Sequence, residues 1–308
     1  MSSDALTFEQ IDDPQFWLRL QPNLHIEHDH DVPEFPVPDP AGVLEHMQTE
    51  GYIRVPEVVP EGSVTAMRAC VERLYELDIP LPFAFVFDEP WDLFRSARLF
   101  VETLVGGEYY MLPAFWVWYV PPSDEAAGWG PHRDKAQVTV DEHNTPMSLT
   151  VWLAFSDATT LNGCIHVLPL RHDDRFALRV FAGQGSSMVF EPQGIRALPA
   201  PAGALMAWNQ NLLHWGGRAS HLATGPRCSA AFEFQRADTF PMRMPPIPAE
   251  IRPDFRERVG LIAMQILQYQ HMYPLSPDAA AVATSLFERF QADLKQAVEE
   301  QEASESAT

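Results

Sequence analysis

Apolar positions along this chain change period twice. Val64, Met67, Val71 and Leu74 recur at three- and four-residue steps, the spacing of one helix face, with Ser63 placed to cap it. Asp88, with Pro90 just inside the start, opens a second helix that Gly106-Gly107 closes. A short helix near Val43–Met47 and an extended run at Tyr52–Val55 come before both. From Tyr109 the pattern shortens to β-type runs at Tyr109–Val120, Ala136–Val140, Leu149–Phe155, Ile165–Leu168, Ser187–Phe190, Ala204–Trp208 and Ser229–Phe234. Gly, Pro, Asn and Asp separate these runs, which predicts an antiparallel sandwich or barrel rather than βαβ units. The helical period returns with Val282, Leu286, Phe290 and Leu294, ahead of a polar tail expected to fray.

The expected organisation is an acidic, proline-rich arm without regular structure over residues 1–40 and a single domain over 41–308. Within that domain the β core covers about 109–235 and C-terminal helices about 250–300. A hydrophobic content of 46% supports a buried core and excludes global disorder. The 42 acidic side chains outweigh 21 basic ones, and a net charge of −21 repels nucleic acid and anionic membranes, so neither is expected as a partner. No apolar run approaches the ~20 residues of a spanning helix, and the first residues lack a secretory pattern. Cys70, Cys164 and Cys228 are too sparse for a disulfide framework. A cytoplasmic protein with reduced thiols is the expectation.

The chain carries no GxGxxG, GxxxxGK[ST], GxSxG or HExxH, which removes the main support for those nucleotide, hydrolase and zincin chemistries. Its eleven histidines hold the chemistry instead. His132 and Asp134 stand two apart in WGPHRDKAQVTV, and such residues share one face of an extended strand. His214, after the apolar strand GALMAW, completes a three-ligand face. Two imidazoles and one carboxylate leave three adjacent positions on an octahedral ion, which selects non-haem Fe(II) with room for a chelating cosubstrate and dioxygen. Arg227 and Ser229 follow on the strand SAAFEF. A guanidinium fork aimed into a barrel with a nearby hydroxyl suits a carboxylate, such as the distal one of 2-oxoglutarate.

Other candidates weigh less. His172 and Asp174 form a second HxD pair within a charged loop, and His166 sits in an apolar strand as a core histidine would. His25, His28 and His30 with their acidic neighbours read as a solvated arm. Trp116, Trp118, Trp129 and Trp215 bracket the ligands in sequence; Trp129 and Trp215 neighbour ligands and are the first choices for a substrate wall, with Trp118, Arg218 and His221 as further pocket candidates. Lys135 is expected to face away from Asp134 and to be exposed.

With these motifs in order, residues of about 40–235 resemble the Fe(II)/2-oxoglutarate oxygenases of the phytanoyl-CoA dioxygenase type. EGYIRVPEVVPEGSVTAMRACVERL resembles the family's opening strand and helix, PHRD its HxD, and LTVWLAFSDATTLNGCIHVLPLRH its central strand pair. GALMAW to PRCSAAFEF carries the distal histidine and the cosubstrate arginine. The chain departs from the family where Pro169-Leu170-Arg171-His172 replaces Pro-Gly-Ser-His and Gly203-Ala204 replaces Gly-Asp.

The resemblance implies a mainly β, double-stranded β-helix (jelly-roll, cupin-like) core with flanking helices. It also implies Fe(II) on His132, Asp134 and His214, 2-oxoglutarate on Arg227 and Ser229, and O2 as co-reactant. The implied reaction is hydroxylation of an unactivated C–H bond of a small molecule, with 2-oxoglutarate decarboxylated to succinate and CO2. Family halogenases lack the carboxylate ligand, so Asp134 favours oxygenation. Two alternatives stay open: a cupin-like Zn, Mn or Ni lyase or isomerase, which needs no cosubstrate arginine, and a degenerate, non-enzymatic binding module. The acidic balance disfavours a coenzyme A thioester and favours a small polar, amino-acid-like or natural-product substrate.

Overall fold

The computed structural model describes residues 6–29, 31–181, 191–273 and 275–306. The chain forms two compact units, one of residues 31–72 and 92–251 and the other of residues 1–30, 73–91 and 252–308.

Among the described residues the larger unit holds nine strands: β1 (Tyr52–Val55), β2 (Tyr109–Val120), β3 (Ser148–Ala154), β4 (Ile165–Leu168), β5 (Arg196–Leu198), β6 (Leu205–Asn209), β7 (Leu213–Gly216), β8 (Arg227–Arg236) and β9 (Ile247–Pro248). Six form one sheet in the order β1-β6-β3-β8-β2-β9, and β5-β4-β7 form a second. Every ladder among the described residues, for example β3 with β8 and β4 with β7, is antiparallel. Trp152, Ala154, Met206, Trp208 and Ala231 of the large sheet pack with Ile165, Val167 and Leu198 of the small one in one buried cluster. Alternate positions on each strand feed this interior, so the fold is the jelly roll expected, closed by hydrophobic burial from both sheets.

Helices precede the strands. Pro40–Glu50 ends at Gly51, whose φ of +88° reverses the chain into β1. Glu61–Glu76 buries Val64, Met67, Val71 and Leu74 as its period requires. Ser63 lies inside this helix rather than at its cap, because the helix begins two residues earlier. The helix from Asp88 divides at Ala97 into Asp88–Ser96 and Arg98–Val105 before Gly106 closes it.

The run Ala136–Val140 is not a strand. Its apolar alternation imitates one, but the Thr139 N–H donates to Asn211 Oδ1 (2.7 Å) and the Gln137 carbonyl accepts from Asn211 Nδ2 (2.8 Å), leaving Val140 only an isolated bridge to Pro146. The run Ser187–Phe190 lies outside the described residues. β5, β7 and β9 are too short for their period to be visible in sequence.

The smaller unit is helical. The opening segment, expected without regular structure, carries helices Phe8–Ile11 and Pro14–Leu20, capped by Thr7 and Asp13. Trp17 stacks on Phe83 at 5.1 Å. Phe255–Tyr269 and Pro277–Ser306 pack so closely that a Cβ on Gly260 would lie 2.4 Å from Phe290 Cγ. His25 and His28 are exposed, stacked at 5.1 Å, as a solvated segment allows; His30 lies outside the described residues.

Candidate metal centre

The site begins with the turn Asn209-Gln210-Asn211 between β6 and β7. These three residues are fully buried, and the Gln210 carbonyl and the Asn211 side chain take up the backbone of the irregular segment after His132. Lys135 N–H donates to the Gln210 carbonyl (3.1 Å), Asn211 Nδ2 to the Lys135 and Gln137 carbonyls, and Arg133 Nη1 to the Asn211 carbonyl. His132 then forms a bridge with His214, each backbone N–H donating to the other's carbonyl at 3.0 Å. The two imidazoles come within 4.4 Å, centroid to centroid.

His132, Asp134 and His214 each offer one ligand atom, all within 4.8 Å of one another; among the described residues they are the metal-capable cluster. The orientation of each is fixed from outside. His132 Nδ1–H donates to the Gly130 carbonyl (2.8 Å) and His214 Nδ1–H to the Leu212 carbonyl (3.1 Å), which turns both Nε2 atoms inward. They stand 3.4 and 3.5 Å from Asp134 Oδ1. The other carboxylate oxygen, Oδ2, accepts from Thr150 Oγ1 (2.7 Å) and Trp208 Nε1 (3.0 Å). Asp134 is thereby set to present a single oxygen.

Electrostatics agree with a cation site. Burial pushes the His214 imidazole down to about 4, Asp134 only partly opposing, so it is neutral at pH 7 with a free lone pair. Burial disfavours the Asp134 carboxylate, but the adjacent His214 and His132 outweigh it and hold Asp134 well below the usual carboxylate range. For His132 burial also opposes charge, and the hydrogen bond to Asp134 prevails and raises its affinity for a proton. Two nitrogens, one carboxylate oxygen and an oriented outer layer fit a divalent ion with open positions.

Arg227 and Ser229 stand on β8 with their side chains on one face, buried to 1% and 0% exposure. Arg227 Nη1 donates to the Gly163 carbonyl (2.8 Å), which the Asn162-Gly163 turn positions with φ of +83° at the glycine. Gly128 and Gly216 flank the guanidinium: a Cβ on either would lie 3.1 Å from Nη2 or 3.3 Å from Nη1, respectively. Ser229 Oγ is buried with no hydrogen-bond partner among the described residues. A carboxylate beside this fork would satisfy it.

The aromatic candidates divide by strand parity. Trp129 meets the His132 ring edge-on at 5.8 Å and so adjoins the cluster, while Trp118 packs on Trp129 at 5.3 Å, one ring further out. Trp215 follows His214 on β7, points to the opposite face and stacks on His166 at 5.5 Å. Arg218 is exposed, bridging only through its backbone to Ala127, and His221 pairs with Asp124 at the surface. His172 and Asp174 are exposed and apart from the cluster.

Lys135 corrects the expectation of exposure. It lies in a buried pair with Glu233, Nζ to Oε2 2.5 Å, and its charge helps hold down the Asp134 carboxyl. Sequence spacing does not reveal Thr150 and Trp208, which register brings to Asp134, or Asn211, Arg133 and Glu233, which tertiary contacts bring to the segment around it.

The family model described as phytanoyl-CoA dioxygenase (PhyH) matches residues 85–221, which include all three cluster residues and stop short of Arg227. Solved structures share the fold. The epimerase SnoN, in complex with Fe3+, alpha ketoglutarate and nogalamycin RO, aligns at TM-score 0.51 and 18% identity over 69% of this chain and 89% of its own. The non-heme alpha ketoglutarate dependent carbocyclase SnoK from nogalamycin biosynthesis aligns at 0.51 and 16% over 73% and 98%. The non-heme monooxygenase ThoJ, as its Ni complex, aligns at 0.52 and 14% over 75% and 98%. No curated protein matches the chain by sequence.

Proposed function

From the premise that residues 85–221 are a phytanoyl-CoA dioxygenase domain, we propose that this chain is an Fe(II)- and 2-oxoglutarate-dependent oxygenase that hydroxylates a small molecule at an unactivated C–H bond. One observation carries the reading. His132 Nε2, His214 Nε2 and Asp134 Oδ1 converge within 4.8 Å while every other polar atom of the three side chains is held by a neighbour. Iron bound there with 2-oxoglutarate and O2 supplies an oxidation coupled to release of succinate and CO2.

The chain's own groups supply geometry. The Nδ1–H bonds keep both imidazoles in the ligating tautomer, and Thr150 and Trp208 keep Asp134 from closing over a second position. Arg227 and Ser229 receive the distal carboxylate of 2-oxoglutarate, one by a charged fork and the other by its buried hydroxyl. A metal-dependent lyase or isomerase would leave that buried arginine and serine without a role. Trp129, backed by Trp118, forms an apolar wall beside His132, which shields the reacting carbon from water. No helix among the described residues is long and apolar enough to cross a membrane; we place the protein in the cytoplasm, acting on a small natural-product-like or amino-acid-like molecule.

Anaerobic titration of the protein with Fe(II) and then 2-oxoglutarate tests the reading. The visible charge-transfer band of a chelated Fe(II)·2-oxoglutarate complex is expected with the wild type. Arg227→Ala should bind Fe(II) but require far more 2-oxoglutarate to form the band. A wild type that binds Fe(II) without ever forming the band sinks the proposal.

A further inference from the structure

Lys135 and Glu233 form a buried ion pair that neither the cluster nor the carboxylate cradle uses. Lys135 Nζ lies 2.5 Å from Glu233 Oε2, and the residues are 8% and 9% exposed. Arg243 Nε stands 4.0 Å from the same oxygen on a more exposed side chain. The ligand set itself places the pair: Lys135 follows Asp134 in sequence, and Glu233 is the β8 register partner of Thr150, whose hydroxyl holds Asp134.

Glu233, Ala231, Ser229 and Arg227 occupy alternate positions and share one face of β8. Arg227 and Glu233 are therefore about 20 Å apart along the strand, at a rise of ~3.3 Å per residue. Through Thr150, the cluster is level with the Glu233 end. A cosubstrate reaching from the cluster toward Arg227 would run along β8 away from Lys135 and Glu233, which leaves their end of the strand for a substrate.

Stability does not account for the pair. Burying two charges costs a desolvation penalty that their attraction barely offsets, and apolar residues of equal volume hold a core as well. We infer that Lys135 and Glu233 are specificity residues that bind the two ends of a zwitterion: an amino acid, or a scaffold carrying ammonium and carboxylate groups close together. The inference rests on the oxygenase reading above. The substrate carboxylate takes the place of Glu233 at Lys135 Nζ, with Arg243 as a second donor, and the substrate ammonium takes the place of Lys135 at Glu233. Both buried charges stay compensated through that exchange. A neutral or singly charged ligand leaves one of them unpaired in a dry site, which is the costly outcome.

The test uses the full chain loaded anaerobically with Fe(II) and 2-oxoglutarate. Free L-amino acids, their carboxamides and their N-acetyl derivatives are titrated in, and the shift of the charge-transfer band is read. At least one free amino acid should shift the band, and blocking either end should raise the half-saturating concentration about tenfold or more. Lys135→Met should abolish the preference for acid over amide and keep the preference for free amine; Glu233→Gln should do the reverse. Equal binding of blocked and free probes to the wild type overturns the inference, as does a band that forms but shifts with no free amino acid. The wild-type series decides even if a variant misfolds. Absence of the band before any probe is added overturns the oxygenase reading, and this inference with it.

Discussion

Trp208 and Thr150 face each other across the β6–β3 ladder and donate to one and the same oxygen, Asp134 Oδ2, at 3.0 and 2.7 Å. The register of two strands thus decides which carboxylate oxygen points at the imidazoles. Removing either donor frees the carboxylate to rotate. Trp208→Phe deletes the N–H together with part of the ring that packs on His214 at 4.6 Å. Thr150→Val deletes only the hydroxyl. Each should weaken Fe(II) binding by about 10–100-fold, the usual effect of losing an outer-layer partner, with little change in the unfolding midpoint of Thr150→Val. Anaerobic titration calorimetry measures it, and unchanged affinity in both variants would disprove the role.

Gly216 and Gly128 are required by the guanidinium between them. A Cβ on Gly216 would lie 2.7 Å from Gly128 Cα and 3.3 Å from Arg227 Nη1. Backbone cannot yield at the first contact, so Gly216→Ala displaces the loop at Gly128 and with it the fork. The expected result is a rise of about tenfold or more in the 2-oxoglutarate concentration that half-forms the charge-transfer band, since a displaced fork loses charge-assisted hydrogen bonds. Fe(II) affinity, measured on the same sample, should hold.

Arg133 sits between two ligands, yet its side chain leaves them on the other side of the chain. It forms a two-pronged pair with Asp173 (2.7 and 3.0 Å), donates to the Asn211 carbonyl and lies over the Phe181 ring at 5.4 Å. Both partners are nearly inaccessible to solvent. Arg133→Met leaves Asp173 buried and uncompensated, a loss of about 3–5 kcal/mol in chemical denaturation. Asp173→Asn with Arg133→Met should recover part of that loss, because it removes the stranded charge.

The HxD pair and His214 were legible because alternation along an extended segment is a local rule, and ligand chemistry needs few residues. The placement of Arg227 and Ser229 on one face of a strand was legible for the same reason. Parity also separates Trp215 from His214, a signal present in the sequence but not applied to the tryptophans. For Lys135 strand parity misleads, because the segment after His132 is irregular and Glu233 covers the side chain. Thr150, Trp208 and Asn211 act through partners 16, 74 and 72 residues away in sequence, contacts that exist only once register is set. The false strand at Ala136–Val140 has a kindred cause: a side chain, not a neighbouring strand, takes its backbone bonds.

In the helical unit, Asp88 is the group whose ionisation stability should follow. Its carboxylate accepts from the His28 N–H (2.8 Å), the Glu27 N–H (3.0 Å) and Arg258 Nη1 (2.7 Å), with Asp88 and Arg258 side chains 0% and 1% exposed. Burial alone would raise its pKa; the His28 N–H and the Arg258 charge outweigh burial and lower it. A carboxyl with a depressed folded-state pKa stabilises fully above its unfolded value of about 3.9 and loses that contribution as pH falls through the folded value. Stability of the wild type should therefore decline below about pH 4. Asp88→Asn should be less stable at pH 7 by about 3–5 kcal/mol, since Arg258 is left buried without its counter-charge, and should lose part of the decline in acid. Urea unfolding at a series of pH values, followed for both proteins, checks the sign: curves that stay parallel down to pH 3 would remove Asp88 from the account.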